Sequence, residues 1–460
     1  MRAHHDGLGI LTMLGSALLA ASCSFSRFDD LKGDAKAKVL DSPFGGGDYG
    51  EVMVTTRPPT GEPRLLVAAR GQARDLAFYT FTPAGGADLL KLRGGGMNLT
   101  DTARLIDGPV GDVAAAPNGD MGALVGSAAS ANRTLYFLDF DANGAPRGRA
   151  LSSPAQFTPG FGENSLAMGD FFKNAPASPT DGETDAVVAG IRELYLYPQQ
   201  GLGGSVARCR LPGADLQKGR LAGADFVGGN DLSELAMGQQ RAGVPGSVSF
   251  FTVADFTQLE FQGISNSTQE ATRMCTAVGT SIPAPGGEAS FGATVVAGNV
   301  IGGPEIDLVV GAPEQNVIYI FPGSAAGPLA AGSKKIDLSP AIGKFGSAIA
   351  ILDLDGDGKN ELAIGEPRFV PPGGDTEAGR VHLYALKTDG DFQALGVLNA
   401  HEFSSEHFGR GLAALKFSAG GKTVDQLVVG EQEQVVVYFD TNLRFSGGGL
   451  TLSDADERVR

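Results

Sequence analysis

Short apolar runs recur along the chain, and each is followed by a second run rich in apolar and aromatic residues. The first runs begin at residues 64, 122, 185, 234, 307, 361 and 426. The second runs begin at residues 76, 134, 193, 246, 316, 379 and 434. Runs of this length, bounded by turn-forming residues, are typical of β-strands. The pattern therefore predicts seven copies of a strand pair joined by a short turn.

The copies have a similar size. The fifth residues of the first runs lie 49 to 73 residues apart, and they are Ala68, Gly126, Ala189, Gly238, Gly311, Gly365 and Gly430. A step of about 60 residues matches one four-stranded unit with its loops. The first runs are apolar almost throughout, which predicts strands that are covered on both faces.

A Phe-Gly pair precedes the first run in five of the copies, at residues 44, 161, 291, 345 and 408. We expect each pair to open the innermost strand of its unit. The clearest copies are FGATVVAGNVIGGPEIDLVVGAP at 291–313 and FGSAIAILDLDGDGKNELAIGEP at 345–367. They resemble the FG-GAP repeat, which builds the N-terminal propeller of integrin α subunits. The resemblance covers about residues 44–453 and implies an all-β fold, a seven-bladed β-propeller of four-stranded antiparallel blades.

Two structural alternatives fit less well. An array of β-sandwiches would not explain an anchor residue at a near-constant step. Propellers of the WD40, kelch and quinoprotein types use tryptophan at fixed places, and the chain contains none. Closing a ring of blades protects sheet edges. We expect the chain near Val52, or the acidic stretch before it, to complete the sheet that contains the strand at 449–454.

The loop DLDGDGKNE, residues 353–361, concentrates oxygen ligands. Asp353, Asp355 and Asp357 occupy positions 1, 3 and 5, the main-chain carbonyl of Lys359 is available at position 7, and Glu361 stands at position 9. Converging hard oxygens are what Ca²⁺ requires. An EF-hand would need its glutamate at position 12, so the loop is of another kind. Its spacing is similar to the calcium loops of integrin-type blades, and the resemblance implies the same five residues as ligands.

The alternative interpretation of this loop is an acidic turn exposed to water without metal. The corresponding loops of the fifth and fourth copies hold fewer carboxylates, and that of the third is longer and could bind an ion only in another geometry. They contain Asn299, Ile301, Gly303 and Asp307 in the fifth copy, Asp225, Asn230, Asp231 and Glu234 in the fourth, and the stretch from Asp170 to Asp185 in the third. We therefore predict one strong calcium site, in the sixth copy, with the third copy a distant second.

Nothing in the sequence favours catalysis, and we predict that the protein is not an enzyme. His401 and His407 are six residues apart, so HEFSSEH is not an HExxH metalloprotease motif. The chain also has no G-x-S-x-G elbow, no P-loop and no CxxC. Propellers bind ligands on loops at one end. The candidate loops are 57–63, 171–184, 263–289 and 367–378.

Composition agrees with an exported all-β protein. Glycine and proline number 68 and 25, which suits many strands joined by many turns. The 52 acidic residues outnumber the 36 basic ones, giving a net charge of −16. Because nucleic-acid binding needs a basic surface, we expect no nucleic-acid partner.

The N-terminus predicts export. Residues 1–22 form a basic and then apolar leader, and LLAASC resembles the lipobox of bacterial lipoproteins, with Cys23 as the lipidated residue. This predicts a lipid anchor in the bacterial envelope, at the outer membrane, with plain secretion as the alternative. We expect residues 23–43 to be a flexible linker, 44–453 the propeller and 454–460 a disordered tail.

The other two cysteines, Cys209 and Cys275, would meet an oxidising environment after export. A disulfide between them and two buried free thiols are both compatible with the sequence, and we lean towards the disulfide.

The sequence thus predicts a monomeric cell-surface scaffold for binding or adhesion that recognises a protein or a glycan, with structural Ca²⁺ in one blade. The alternatives are an enzyme, or an accessory subunit of one, that acts on extracellular polysaccharide, and a structural envelope lipoprotein.

Overall fold

A computed structural model gives the fold. It describes residues 37–42, 48–56, 63–70, 76–83, 90–98, 110–116, 119–125, 134–140, 146–152, 166–171, 184–190, 193–197, 207–210, 220–227, 233–251, 281–328, 330–338, 342–374, 376–400, 407–419, 422–438, 443–445 and 450–452. The predicted leader, Cys23, Cys275 and the predicted tail lie outside these residues. Among the described residues, none forms a helix long and apolar enough to cross a membrane.

The first strand of the chain, β1 (Ala37–Asp41), belongs to the last sheet, which is given below. The strands of sheet 1 are β2 (Asp48–Thr56), β3 (Arg64–Arg70), β4 (Leu76–Pro83) and β5 (Leu90–Asn98). Sheet 2 contains β6 (Val110–Ala115), β7 (Met121–Val125), β8 (Thr134–Phe140) and β9 (Pro146–Ser152). Sheet 3 contains β10 (Leu166–Gly169), β11 (Asp185–Ala189), β12 (Glu193–Tyr197) and β13 (Ala207–Arg210).

Sheet 4 contains β14 (Leu221–Ala224), β15 (Glu234–Gln239), β16 (Ser247–Phe251) and β17 (Ile282–Pro283). Sheet 5 contains β18 (Thr294–Gly298), β19 (Asp307–Ala312), β20 (Val317–Phe321) and β21 (Lys334–Asp337), with a 3₁₀ turn at Pro313–Gln315. Sheet 6 contains β22 (Ile349–Leu352), β23 (Glu361–Glu366), β24 (Arg380–Leu386) and β25 (Phe392–Asn399). Sheet 7 contains β26 (Gly411–Ala419), β27 (Lys422–Gly430), β28 (Gln434–Tyr438) and β1. A separate hairpin pairs β29 (Leu443–Phe445) with β30 (Leu450–Leu452).

The strand pairs predicted from the apolar runs are confirmed. Each first run is the second strand of a sheet, and each second run is the third strand. Every residue of β11, β15, β19 and β23 is buried, which explains their continuous apolar character. All pairings within the seven sheets are antiparallel, so the described part of the chain has an all-β fold.

Neighbouring sheets pack face to face through their apolar side chains. The first strands contact one another in chain order from β2 through β6, β10, β14, β18 and β22 to β26, and β26 returns to contact β2. Core clusters fill the spaces between neighbours. One contains Leu352 and Leu383 of sheet 6 with Leu427 of sheet 7. Another contains Val435 of sheet 7 with Tyr49 and Leu65 of sheet 1. This packing agrees with the propeller that the FG-GAP resemblance implies.

Sheet 7 joins the two ends of the described chain. Strand β1 pairs with β28, with Val39 opposite Val436. The prediction that the strand at 449–454 closes the ring is wrong, because β30 pairs with β29, which is only a few residues away and costs little entropy to close. The predicted linker 23–43 also ends too late, since β1 lies inside it and is part of a sheet.

The Phe-Gly pairs open first strands, as predicted for sheets 5, 6 and 7. Phe291, Phe345 and Phe408 are fully buried. The glycines after them have φ of +87°, +92° and +85°, a conformation that favours glycine. In sheet 1 the same place is taken by Tyr49 and Gly50, with Tyr49 fully buried and Gly50 at φ +84°. The pairs predicted at residues 44 and 161 lie outside the described residues.

The anchor glycines allow neighbouring sheets to approach closely. A Cβ on Gly365 of sheet 6 would overlap the carbonyl oxygen of Gly409 in sheet 7. Gly430 of sheet 7 has the same relation to Gly50 of sheet 1. The Gly409 N–H also donates to the Gly430 carbonyl at 3.0 Å. Each Phe-Gly glycine therefore lies against two anchors, which explains why glycine recurs at both positions.

Candidate metal centre

The loop 353–361 brings three carboxylates together between β22 and β23. Oxygen atoms of Asp353, Asp355 and Glu361 lie within 4.8 Å of one another. Asp353 is 8% exposed and Glu361 is 5% exposed, whereas Asp355 is exposed. Crowded, largely buried carboxylates repel one another unless a cation or protons neutralise them. The arrangement is therefore suited to a cation.

The main chain of the loop is folded around Asp353. The Gly356 N–H donates to Asp353 Oδ1 at 2.7 Å, and the Gly358 N–H donates to Asp353 Oδ2 at 3.0 Å. Both glycines have positive φ, +76° and +84°, so the tight turn requires them. At the far end, the Leu354 N–H donates to Glu361 Oε2 at 2.8 Å. These bonds fix the first and last carboxylates of the loop.

The remaining two predicted ligands lie at the rim. The carboxylate of Asp357 accepts the Lys359 N–H at 2.7 Å, and Lys359 Nζ lies 3.4 Å from the same carboxylate. The carboxylate of Asp355 also accepts a hydrogen bond from the main chain of the loop, because its Oδ1 lies 3.0 Å from the Asp357 N–H. The structure thus assembles Asp353, Asp355 and Glu361, while the side chain of Asp357 pairs with Lys359 instead.

Burial and crowding raise the pKa values of two loop carboxylates, Glu361 and Asp355. Burial is the largest cause that raises the pKa of Glu361 to about 8, from an ordinary 4.5. The charges of the neighbouring loop aspartates raise this pKa further, and the hydrogen bond from the Leu354 N–H opposes the shift. Burial likewise raises the pKa of Asp355. A divalent cation would reverse these shifts, because it favours the charged carboxylates.

Hydrogen bonds tie the loop to the sheets on both sides. Asn360 Nδ2 donates to the carbonyl of Asn299, in sheet 5, at 2.6 Å. The Asp353 N–H donates to Asp425 Oδ2, in sheet 7, at 3.0 Å, and the Asp425 N–H donates to the Asp353 carbonyl at 2.8 Å. Asp425 is 3% exposed. The acidic loop therefore bridges three sheets.

The loop of sheet 5 has similar main-chain hydrogen bonds but holds fewer carboxylates. Its Asp307 Oδ2 accepts the N–H groups of Val300 and Ile301, both at 2.7 Å. The Gly302 N–H donates to Asn299 Oδ1 at 3.0 Å, as the Gly356 N–H does to Asp353. Ile301 and Gly303 stand where sheet 6 has Asp355 and Asp357. The sheet 5 loop therefore shares the hydrogen-bonding pattern but offers fewer carboxylates to a cation.

An acidic cap closes the corresponding loops of sheets 3 and 4 as well. Asp185 Oδ2 accepts the Phe171 N–H at 3.0 Å, and Glu234 Oε2 accepts the Val227 N–H at 2.9 Å. From the sequence alone these acids look only like degraded calcium ligands. The signal was their recurrence at the first position of the second strand. Their shared role is to accept hydrogen bonds from main-chain N–H groups. The other two predicted residues of the fourth copy, Asn230 and Asp231, lie outside the described residues.

The two described histidines have structural partners. His382 is 5% exposed, and its Nε2 lies 2.7 Å from Glu366 Oε2. Burial lowers the pKa of His382. His407 Nε2 lies 2.9 Å from Glu377 Oε2. Cys209, one half of the predicted disulfide, lies in β13. Its side chain and Cys275 are outside the described part of the chain, so the disulfide stays a prediction.

The comparison with known families matches this part of the chain. A family model described as "FG-GAP repeat" matches residues 345–384. The match begins at the buried Phe345, includes the acidic loop and ends in β24, so it spans the segment in which the structure places the three carboxylates. Residues 345–384 of this chain are therefore an FG-GAP repeat.

Proposed function

We propose that the chain forms a closed seven-bladed propeller and that its sixth blade binds Ca²⁺ in the loop 353–361. The observation that carries the metal proposal is the convergence of three carboxylates within 4.8 Å. Ca²⁺ takes six to eight oxygen ligands, and carboxylates, main-chain carbonyls and water supply them. Asp353, Asp355 and Glu361 would hold the ion. Asp357 and the carbonyl of Lys359 are the further ligands that the FG-GAP resemblance implies.

Two features support the closed ring. Strand β26 of the last sheet contacts β2 of the first, and β1 adds an N-terminal strand to the C-terminal sheet. A strand from one end of the chain in the sheet of the other end leaves no gap at which the ring could open. Ring closure also removes the exposed edges that promote aggregation.

Bound Ca²⁺ would act structurally. It would hold a loop that reaches Asn299 in sheet 5 and Asp425 in sheet 7, and so would stabilise two junctions between blades. An ion that binds the folded chain and not the unfolded one raises the free energy of unfolding by mass action.

Calorimetric titration of the purified protein with Ca²⁺ tests this role. The wild-type protein is expected to bind one ion tightly, and the double variant Asp355→Ala, Asp357→Ala is expected to lose that binding. The matched control is Asp389→Ala, Asp391→Ala, which removes the same two charges from an exposed turn after β24. Equal binding by both double variants would refute the loop as the site.

We further propose that the propeller is an exported scaffold that binds a protein or a glycan at the cell surface without turnover. FG-GAP repeats often build adhesion or binding scaffolds, and the leader with Cys23 supports a lipid anchor at the bacterial outer membrane. Affinity capture from envelope extracts and polysaccharide mixtures, with and without Ca²⁺, tests the partner. Persistent membrane association of the Cys23→Ser variant would contradict the lipid anchor.

A further inference from the structure

A cavity of about 430 Å³ lies among the first strands of the seven four-stranded sheets. Each of these sheets contributes wall residues, mostly from the beginning of its first strand, such as Ser347 to Ile349 at the start of β22. The acidic loop follows the other end of β22. The cavity and the candidate metal centre are therefore at opposite ends of the first strands.

The cavity wall carries a small excess of positive charge. Among the described residues of the wall, the permanent cations are Arg220, Lys344, Arg368 and Arg410, and the carboxylates are Glu51, Asp112 and Glu314. Four cations against three carboxylates leave one positive charge, in a chain whose net charge is −16. An acidic protein thus keeps a locally basic site at its centre.

Each of these three wall carboxylates already has an ion-pair or hydrogen-bond partner. Arg410 Nη2 lies 2.7 Å from Glu51 Oε2. Lys344 Nζ lies 2.8 Å from Glu314 Oε1. The third, Asp112, accepts the Leu166 N–H from the neighbouring sheet at 2.9 Å.

Arg220 is different from the other wall cations. It is partly buried at the start of β14, and its guanidinium has no ion pair or hydrogen bond within the described residues. Arg368 is more exposed, and its Nε lies 3.7 Å from Glu377. A guanidinium has five donors in a planar fork that matches a carboxylate. Arg220 lines the cavity without an anion of its own among the described residues, so its donors are available to a ligand.

We propose that the cavity binds a small ligand through a single carboxylate, with Arg220 as the anchor. One excess positive charge suits a monoanion better than a phosphate dianion. A volume of about 430 Å³ is within the range for small-molecule sites and too small for a folded partner. The carboxylate can come from a uronic acid unit of a glycan or from an open-chain sugar acid. The proposal rests on the binding function proposed above and names its ligand chemistry.

Calorimetry in calcium-free buffer tests the proposal with galacturonate, gluconate and neutral galactose. The wild-type protein is expected to bind at least one of the two acids and not galactose. The Arg220→Gln variant is expected to bind the acid at least about tenfold more weakly, because a charge-assisted pair is lost. The control Arg241→Gln removes a charge from the connection between β15 and β16 and should leave binding unchanged.

The outcomes separate the two sources of carboxylate and the two proposals. Binding of galacturonate alone supports a glycan source, and equal binding of gluconate supports a free sugar acid. Binding of neither acid, equal binding of galactose, or an unchanged Arg220→Gln variant overturns the proposal. The thermal shift caused by Ca²⁺ is measured on the same samples. Its presence without carboxylate binding refutes only the cavity ligand, and its absence with carboxylate binding refutes only the calcium function.

Discussion

Asp353 and Asp425 exchange two hydrogen bonds across the junction between sheets 6 and 7. The N–H of Asp353 donates to Asp425 Oδ2 at 3.0 Å, and the N–H of Asp425 donates to the carbonyl of Asp353 at 2.8 Å. Asp353 is also the first carboxylate of the candidate metal centre. The position of a candidate metal ligand is thus set partly by the next sheet, so binding at the loop and packing of the junction should depend on each other.

Replacing Asp425 should therefore weaken calcium binding although it is not one of the predicted ligands. The Asp425→Ala variant loses the acceptor for the Asp353 N–H, leaving a buried donor unpaired at a cost of about 1–3 kcal/mol. The Asp425→Asn variant keeps an acceptor oxygen and should retain most of the affinity. Calcium affinity and urea unfolding of both variants check this, and equal affinity in the alanine variant and the wild-type protein would contradict the coupling.

The pKa of Glu361 predicts a pH dependence of the calcium-free protein. Its value is about 8 in the folded chain against an ordinary 4.5, so the folded chain binds more protons between these limits. The contribution of Glu361 to the free energy of unfolding should therefore fall as pH rises from about 4.5 to about 8. Urea unfolding at several pH values in calcium-free buffer measures this fall.

The Glu361→Gln variant and saturating Ca²⁺ serve as controls for that measurement. The variant has no titrating group at this position, so this part of the pH dependence should disappear. Saturating Ca²⁺ should suppress it as well, because the metal holds the carboxylate charged and its binding releases the proton. The same pH dependence in the wild-type protein and in the Glu361→Gln variant between pH 5 and 8 would contradict the shifted pKa.

The contact between Gly365 and Gly409 predicts a penalty for any side chain at the anchor. In the Gly365→Ala variant the new Cβ overlaps the Gly409 carbonyl oxygen, a main-chain atom that cannot move aside. We expect a loss of about 3 kcal/mol in the free energy of unfolding. The control Gly374→Ala adds a Cβ 3.3 Å from the Pro371 carbonyl oxygen, a much looser contact than at Gly365, and should cost far less stability. Similar unfolding midpoints for the two variants would refute the close approach.

Because β1 is a strand of sheet 7, we expect the residues before the repeats to stabilise the fold. Leu40 is 4% exposed and packs with Tyr49 and Val437. The Leu40→Ala variant should lose about 3 kcal/mol of unfolding free energy. The control Val370→Ala, at a side chain 37% exposed, should lose much less. If Leu40→Ala unfolds as the wild-type protein does, β1 is not part of the folded core.

Local patterns predicted much of this fold. The second strands are buried on both faces, so their apolar runs stand out in the sequence. The acidic loop was visible because its ligands lie within nine residues. The hydrogen bond between Asp353 and Asp425 could not be predicted from the sequence. The two residues are 72 positions apart, and no local pattern distinguishes Asp425 from other polar residues.

Features that the sequence pattern does not show also have physical reasons. Tyr49 and Gly50 perform the Phe-Gly role in sheet 1, and a search for Phe-Gly pairs misses them because tyrosine stands in place of phenylalanine. Pairing between β1 and β28 joins opposite ends of the chain, and such distant pairing has no local sequence signal. Asp357 has a ligand's spacing, yet the structure pairs its side chain with Lys359.

Thermal unfolding with and without Ca²⁺ tests the central claim, that calcium in the loop 353–361 stabilises the fold. At a hundredfold excess over Kd the ion should add about 2.7 kcal/mol, or roughly 3 °C in Tm for a chain of this size. The account predicts this rise for the wild-type protein and for Asp389→Ala, Asp391→Ala, and none for Asp355→Ala, Asp357→Ala. An equal rise in both double variants, or none in the wild-type protein, would contradict it.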